Sequence, residues 1–159
     1  MILYHGSNTD VKVPDLSKSR PFKDFGAGFY LTPIYSHAQG RASQVFSIHG
    51  EGEPTVSTFE WDEGQAMTMG LAIKRFDDYT EEWAEFVIAN RSKEGHHPAH
   101  HYDIVIGPVA DDGVTFQLRR YQRGYISIKE LIMELKYAKG PTIQYFFGTE
   151  RALTTLRRI

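Results

Sequence analysis

Gly26-Ala27-Gly28-Phe29-Tyr30-Leu31-Thr32 joins a glycine-flanked turn to a run carrying two large aromatic rings. Aromatic and β-branched residues suit a pleated, half-buried surface, so Phe29 to Thr32 predicts a strand. The glycine pair is not a dinucleotide fingerprint. It lacks a third glycine, and it leads into a strand instead of joining a strand to a helix. Downstream, Ser36-His37-Ala38-Gln39 opens a helix that runs to about Phe46, with Ser36 at the N-cap. Upstream, Pro14 and Pro21 mark a surface loop. Ile2-Leu3-Tyr4 before it reads as a short strand that delivers His5 at its end.

The remaining elements follow the same signals. Thr55 to Trp61 alternates and is β-branched, predicting a strand. Thr80 to Ala89 predicts a helix, with Thr80 as cap, acids in its first turn, and Trp83, Phe86 and Val87 on one face. Asp103 to Val109 is a continuous apolar run of the kind found in a central strand. Ser127-Ile128-Lys129-Glu130 is a capping box that opens another helix, ended by Gly140-Pro141. Thr142 to Phe147 predicts a last strand, and Thr149 caps a short basic helix whose arginines suit its negative end. Strands and helices interleave without a regular βαβ beat. The expected class is α+β, with residues 1–159 forming one domain.

Composition narrows the function. A chain of 159 residues can bury one real core without staples. It has no cysteine, so no thiol serves as nucleophile, disulfide partner or zinc ligand. The formal charge of −2 leaves no broad basic footprint for tight non-specific nucleic-acid binding. No signal peptide or membrane-length apolar run stands out, and a soluble cytoplasmic protein is expected.

Three separated pieces can carry chemistry. Leu3-Tyr4-His5-Gly6-Ser7 places an imidazole and a hydroxyl around a glycine whose backbone groups are free to pair with an amide. Tyr30 on its glycine-flanked strand can present a ring face to a flat or cationic ligand. Gln144 heads the last apolar strand. Taken singly, each has an ordinary structural reading: a turn, a buried aromatic and a solvated strand end.

Taken together and in order, they resemble the H-Y-E signature of the diphtheria-toxin-like and poly(ADP-ribose)-polymerase-like ADP-ribosyltransferases. Leu3 to Ser7 looks like the first motif, and Gly28 to Thr32 with Ser36 looks like the second. Gln144 stands where the Glu is expected. The chain is also similar, along its whole length, to a small bacterial family of unknown function in that clan. The similarity runs through Asp24 to Thr32, Tyr102 to Asp112 and Gln144 to Leu153.

The resemblance implies a split-sheet fold with an NAD cleft between its halves, NAD as co-substrate, no metal, and mono-ADP-ribosyl transfer. His5, Tyr30 and Gln144 would be the catalytic residues. Gly6 would hold the nicotinamide carboxamide through its backbone, His5 would bond a ribose hydroxyl, and Tyr30 would stack on the ring. Ser7, Gly28 and Ser36 complete the implied cofactor-binding set. Small transferases of this kind are often toxins with a neutralising partner protein, acting on a protein or nucleic-acid acceptor.

The chain departs from the clan's pattern in three places. Gln144 is uncharged, Ala38 replaces a serine that touches the amide, and Arg41 stands near an aromatic position. Glu150 could supply a carboxylate but reads as a helix-start acid. A second reading is therefore a catalytically degenerate module that binds NAD or ADP-ribose. A third makes the helix Thr80–Asn90 a docking surface, although Trp83 and Phe86 suit a core. Four imidazoles in His96-His97-Pro98-Ala99-His100-His101 could bind zinc or nickel. Pro98 breaks a helix there, and the segment reads as a solvated loop.

Overall fold

In the computed structural model, residues 1–94, 98–137 and 140–159 are described. Among them are seven strands and six α-helices in two sheets, a mixed α+β arrangement. The first sheet is ordered β1-β3-β7 and the second β2-β6-β5-β4. Here β1 is Ile2–Ser7, β2 Phe29–Leu31, β3 Thr55–Trp61, β4 Ile73–Arg75, β5 Ile104–Pro108, β6 Ile143–Phe147 and β7 Leu156–Arg158. All pairings are antiparallel except β4 with β5.

The apolar run at Ile104 to Pro108 is a central strand with every residue buried, because both faces of its sheet are covered. Its side chains alternate between two cores. Ile104 and Ile106 join Leu3, Phe29, Leu31, Phe59, Trp61, Tyr145 and Phe147 in one core. Val105 and Phe146 pack with Phe25, Phe76, Trp83, Val87, Leu118, Leu131 and Leu135 in the other. Three helices supply that second core: α3 (Glu81–Arg91), α4 (Asp112–Gln122) and α5 (Ile128–Tyr137). Helix α1, Tyr35–His49, instead lies against β1 and β3.

Several local signals act as expected. Thr80 caps α3 by accepting from Trp83 N–H, and Ser127 and Glu130 exchange the two bonds of a capping box. Others do not. Ser36 is not the N-cap of α1. Ile34 holds that position without a side-chain bond, and the helix continues to His49, where Gly50 (φ 70°) closes it in the left-handed region. The C-terminal helix is also shorter than expected. Thr149 does cap it, but α6 spans only Glu150–Leu153, and the basic residues beyond form β7. Arg157 and Arg158 pair with Glu60 and Asp10 instead of meeting a helix end.

The long interval after β3 holds a short helix, α2 (Glu63–Thr68), and the edge strand β4. No helix among the described residues is long and apolar enough to cross a membrane.

Candidate functional site at the parting of the two sheets

Among the described residues, the two sheets meet through one bridge. Tyr4 N–H donates to Thr32 O at 2.8 Å and Thr32 N–H to Tyr4 O at 2.9 Å. One antiparallel step further, Gly6 would face Tyr30, but the strands part and no ladder forms there. Along β1, the backbone of alternate residues bonds to β3, so the N–H and C=O of Gly6 face the parting, as those of Tyr4 do. On the far side, the Tyr30 carbonyl that a ladder would have used accepts instead from the His5 ring, at 2.8 Å from Nδ1.

Gly6 is left buried, and among the described residues neither of its backbone groups is paired across the parting. Buried, unpaired backbone groups are rare, and each calls for a partner. Glycine is also required sterically. A Cβ at position 6 would lie 2.0 Å from Ala38 O and 2.8 Å from Ala42 N, so α1 seats directly on it. The same contact accounts for Ala38 and Ala42, both buried, where a larger side chain would lift the helix off β1.

His5 sits against Phe29, ring centroids 4.3 Å apart. A carbonyl only accepts, so Nδ1 carries the hydrogen, and the neutral ring keeps a lone pair on Nε2. Burial pulls the His5 pKa below the ordinary histidine value, the Tyr30 carbonyl opposes that, and the charges of Lys23 and Arg41 add to the lowering. The ring is therefore neutral at physiological pH.

Tyr30 points to the opposite face of β2 from Phe29 and packs on the helix-covered core, whereas the imidazole lies on Phe29. The Tyr30 hydroxyl donates to Gly26 O at 2.6 Å and accepts from Phe25 N–H at 3.0 Å. Burial drives its pKa well above the usual tyrosine value, which makes Tyr30 a wall and not a proton carrier. Lys23 Nζ lies 5.1 Å from the ring centroid, so a face of this ring already receives positive charge.

Gln144 shares that face of the second sheet. It lies two residues before Phe146, which pairs with Tyr30, and opposite Gly107 on β5. Its Nε2 donates to Asp24 Oδ2 at 2.9 Å and more weakly to Pro108 O at 3.4 Å. Asp24 is buried, and it also accepts from Arg91 and from Ala110 N–H. Neither Asp24 nor Arg91 stood out as a site residue in the sequence. Asp24 lies inside the Asp24 to Thr32 motif, where an acid among apolar residues was the available signal.

The other expected contacts divide. Ser7 hydroxyl is 3.4 Å from Asn8 Oδ1 at the rim of β1. Gly28 is a packing glycine: a Cβ there would meet the Phe146 ring at 2.1 Å. Ser36 is exposed in the first turn of α1. Glu150 is exposed at the start of α6, beyond the other end of β6 from Gln144.

Of the histidine cluster, His96 and His97 lie outside the described residues. His100 is a structural tie. Its Nε2–H donates to Phe25 O at 2.7 Å, and its Nδ1 accepts from Tyr102 N–H at 3.0 Å. Both nitrogens are used within the protein. No group of three or more candidate ligands gathers for a metal among the described residues.

A family model described as "Protein of unknown function (DUF3990)" matches residues 1–158. The chain belongs to the DUF3990 family. No curated protein and no solved structure matches it. In this DUF3990 chain, the described geometry brings His5, Gly6 and Tyr30 to one parting, with Gln144 on the sheet face beside it.

Proposed function

We propose that this protein is an NAD-dependent mono-ADP-ribosyltransferase with the split-sheet fold of that clan, working in the cytoplasm on a protein or nucleic-acid acceptor. The observation that carries the reading is the pair of unpaired Gly6 backbone groups, N–H and C=O, facing the parting between the sheets. A carboxamide presents the complementary acceptor and donor, so Gly6 can bind nicotinamide through two parallel hydrogen bonds. His5 Nε2, with its lone pair, would accept from a ribose hydroxyl. The Tyr30 ring would receive the cationic nicotinamide in place of Lys23. Arg20, Lys23 and Arg41 form no ion pair among the described residues, which suits them to phosphates.

Cleavage of the nicotinamide–ribose bond builds positive charge on the sugar. The chain's contribution is to position the two halves of NAD and stabilise that charge. Gln144 Oε1 can accept from the ribose 2′-hydroxyl. A neutral acceptor bonds about half as strongly as a charged one, which favours transfer of a single unit over chain growth.

Incubation with NAD, followed by nicotinamide release and mass spectrometry of cellular protein and nucleic acid, tests the reading. The wild type should release nicotinamide and add the mass of ADP-ribose, and His5→Ala and Tyr30→Ala should do neither. The neutral Gln144 favours a second reading, a module that binds NAD or ADP-ribose without turning it over. A melting temperature raised by NAD, with no nicotinamide released and no adduct across the acceptors, would select the module. A toxin role with a neutralising partner predicts growth arrest on expression of the chain alone; normal growth with active enzyme removes it.

A further inference from the structure

We propose that Asp24 is a positioning residue that fixes the Gln144 amide with its carbonyl oxygen turned outward as an acceptor; this rests on the transferase reading above. Among the described residues, two groups meet the Gln144 side chain, the Asp24 carboxylate and the Pro108 carbonyl, and both only accept. The Gln144 atom facing them must be the amide nitrogen. Its oxygen therefore points the other way, where it takes no hydrogen bond from the described residues and is not sealed from solvent.

Asp24 is itself held still. Arg91 donates from Nε to its Oδ1 at 2.8 Å, with Nη2 at 2.6 Å from the same oxygen. Ala110 N–H donates to Oδ2 at 2.8 Å. Arg91 is pinned in turn by Thr115 Oγ1 at 2.8 Å and Ala110 O at 3.0 Å. Arg91, Lys23 and Tyr30 are titratable groups that interact with Asp24.

The arrangement gives a physical reason for the amide at position 144. A glutamate there would set its carboxylate against that of Asp24, at the 2.9 Å now spanned by a hydrogen bond. Two carboxylates in such contact do not both ionise. In this chain the Asp24 carboxylate, paired with Arg91, stands one contact behind the acceptor and polarises the amide through its N–H.

The consequence runs against simple motif repair. Gln144→Glu, which recreates the H-Y-E signature, should lower the kcat for nicotinamide release about tenfold at neutral pH and regain part of it toward acid. Asp24→Asn should lower kcat while KM for NAD stays within about twofold, because Arg91 keeps the Asn oxygen, the Asn NH2 meets Gln144 and turns its oxygen inward, and Ala110 N–H loses its acceptor. The pair Asp24→Asn with Gln144→Glu restores one donor facing one acceptor and should recover turnover to within about threefold of the wild type.

Gln144→Glu as active as wild type at neutral pH, or a double variant no better than the poorer single one, would overturn the proposal. Proton exchange of the Gln144 side-chain amide, followed by NMR, separates this proposal from the function it rests on. A wild type that releases no nicotinamide yet keeps those protons protected overturns the transferase and leaves the amide orientation standing. Freely exchanging protons overturn the orientation whatever the turnover.

Discussion

His5 and His100 make a controlled pair within one molecule. Each donates a ring N–H to a backbone carbonyl, Tyr30 O in one case and Phe25 O in the other, and each has its pKa lowered chiefly by burial. They differ in the second nitrogen. Tyr102 N–H fills that of His100, whereas that of His5 has no partner among the described residues. A histidine with both nitrogens used is a tie between chain segments. One with a lone pair left over, beside an unpaired backbone edge, is placed to meet something from outside. Sequence could not separate the two, because the carbonyl that each ring meets is distant in the chain, and the nearby Tyr102 N–H reaches His100 only through the local fold of its loop.

The sharpest way to break this comparison is to close the parting beside His5. Gly6→Ala would drive a methyl group into Ala38 O, and a cost of about 4 kcal/mol or more is expected, read as failure to fold or loss of the cooperative melt. Next comes the exchange of roles. His100→Ala should cost about 2–3 kcal/mol, roughly a 5–10 °C fall in Tm, because two backbone groups lose their partner, while the proposed NAD turnover per folded molecule survives. His5→Ala should show the reverse balance, with turnover abolished and a smaller fall in Tm. Equal effects of both substitutions on both readouts would erase the distinction.

pH sharpens the contrast more gently. Both folded pKa values are lowered, so the unfolded chain binds protons at higher pH than the native one. The stability tied to these rings is therefore fully present above the ordinary histidine value near 6.5, and falls as pH drops through the lowered folded values. Tm measured from about pH 7 to pH 5 should decline, and the decline should shrink in His100→Gln, which keeps a donor for Phe25 O. The smallest effect belongs to Ser36→Ala. An exposed serine in the first turn of α1, which does not cap it, should change stability by less than about 0.5 kcal/mol and leave turnover unchanged.

The parts of the fold that were legible are those whose causes are local. β5 announced itself by an unbroken apolar run. Helices α3 and α5 did so by Thr80 and by the Ser127–Glu130 box. β7 was not legible, since three residues become a strand only because the edge of β3 is there to pair with. α4 was readable in hindsight: Asp111 caps it, and Val114 and Leu118 fall four apart on its buried face. At the site, His5, Gly6, Tyr30 and Gln144 could be named because each sits in a short motif. Arg91 could not, because the residue that gives it meaning, Asp24, is 67 positions away.

The single bridge at Tyr4 and Thr32 has a consequence for how such a chain diversifies. With two backbone bonds between the sheets among the described residues, the edge-to-face pair Phe29 and Phe59, centroids 5.5 Å apart, is a side-chain contact that joins β2 to β3 behind the bridge. Trimming or enlarging Phe59, which makes no ring contact with His5, would reset the spacing between the Gly6 edge and Tyr30 while leaving the groups at the parting unchanged. On the proposed function, such a change would alter the girth of the molecule admitted while the same recognition atoms remain.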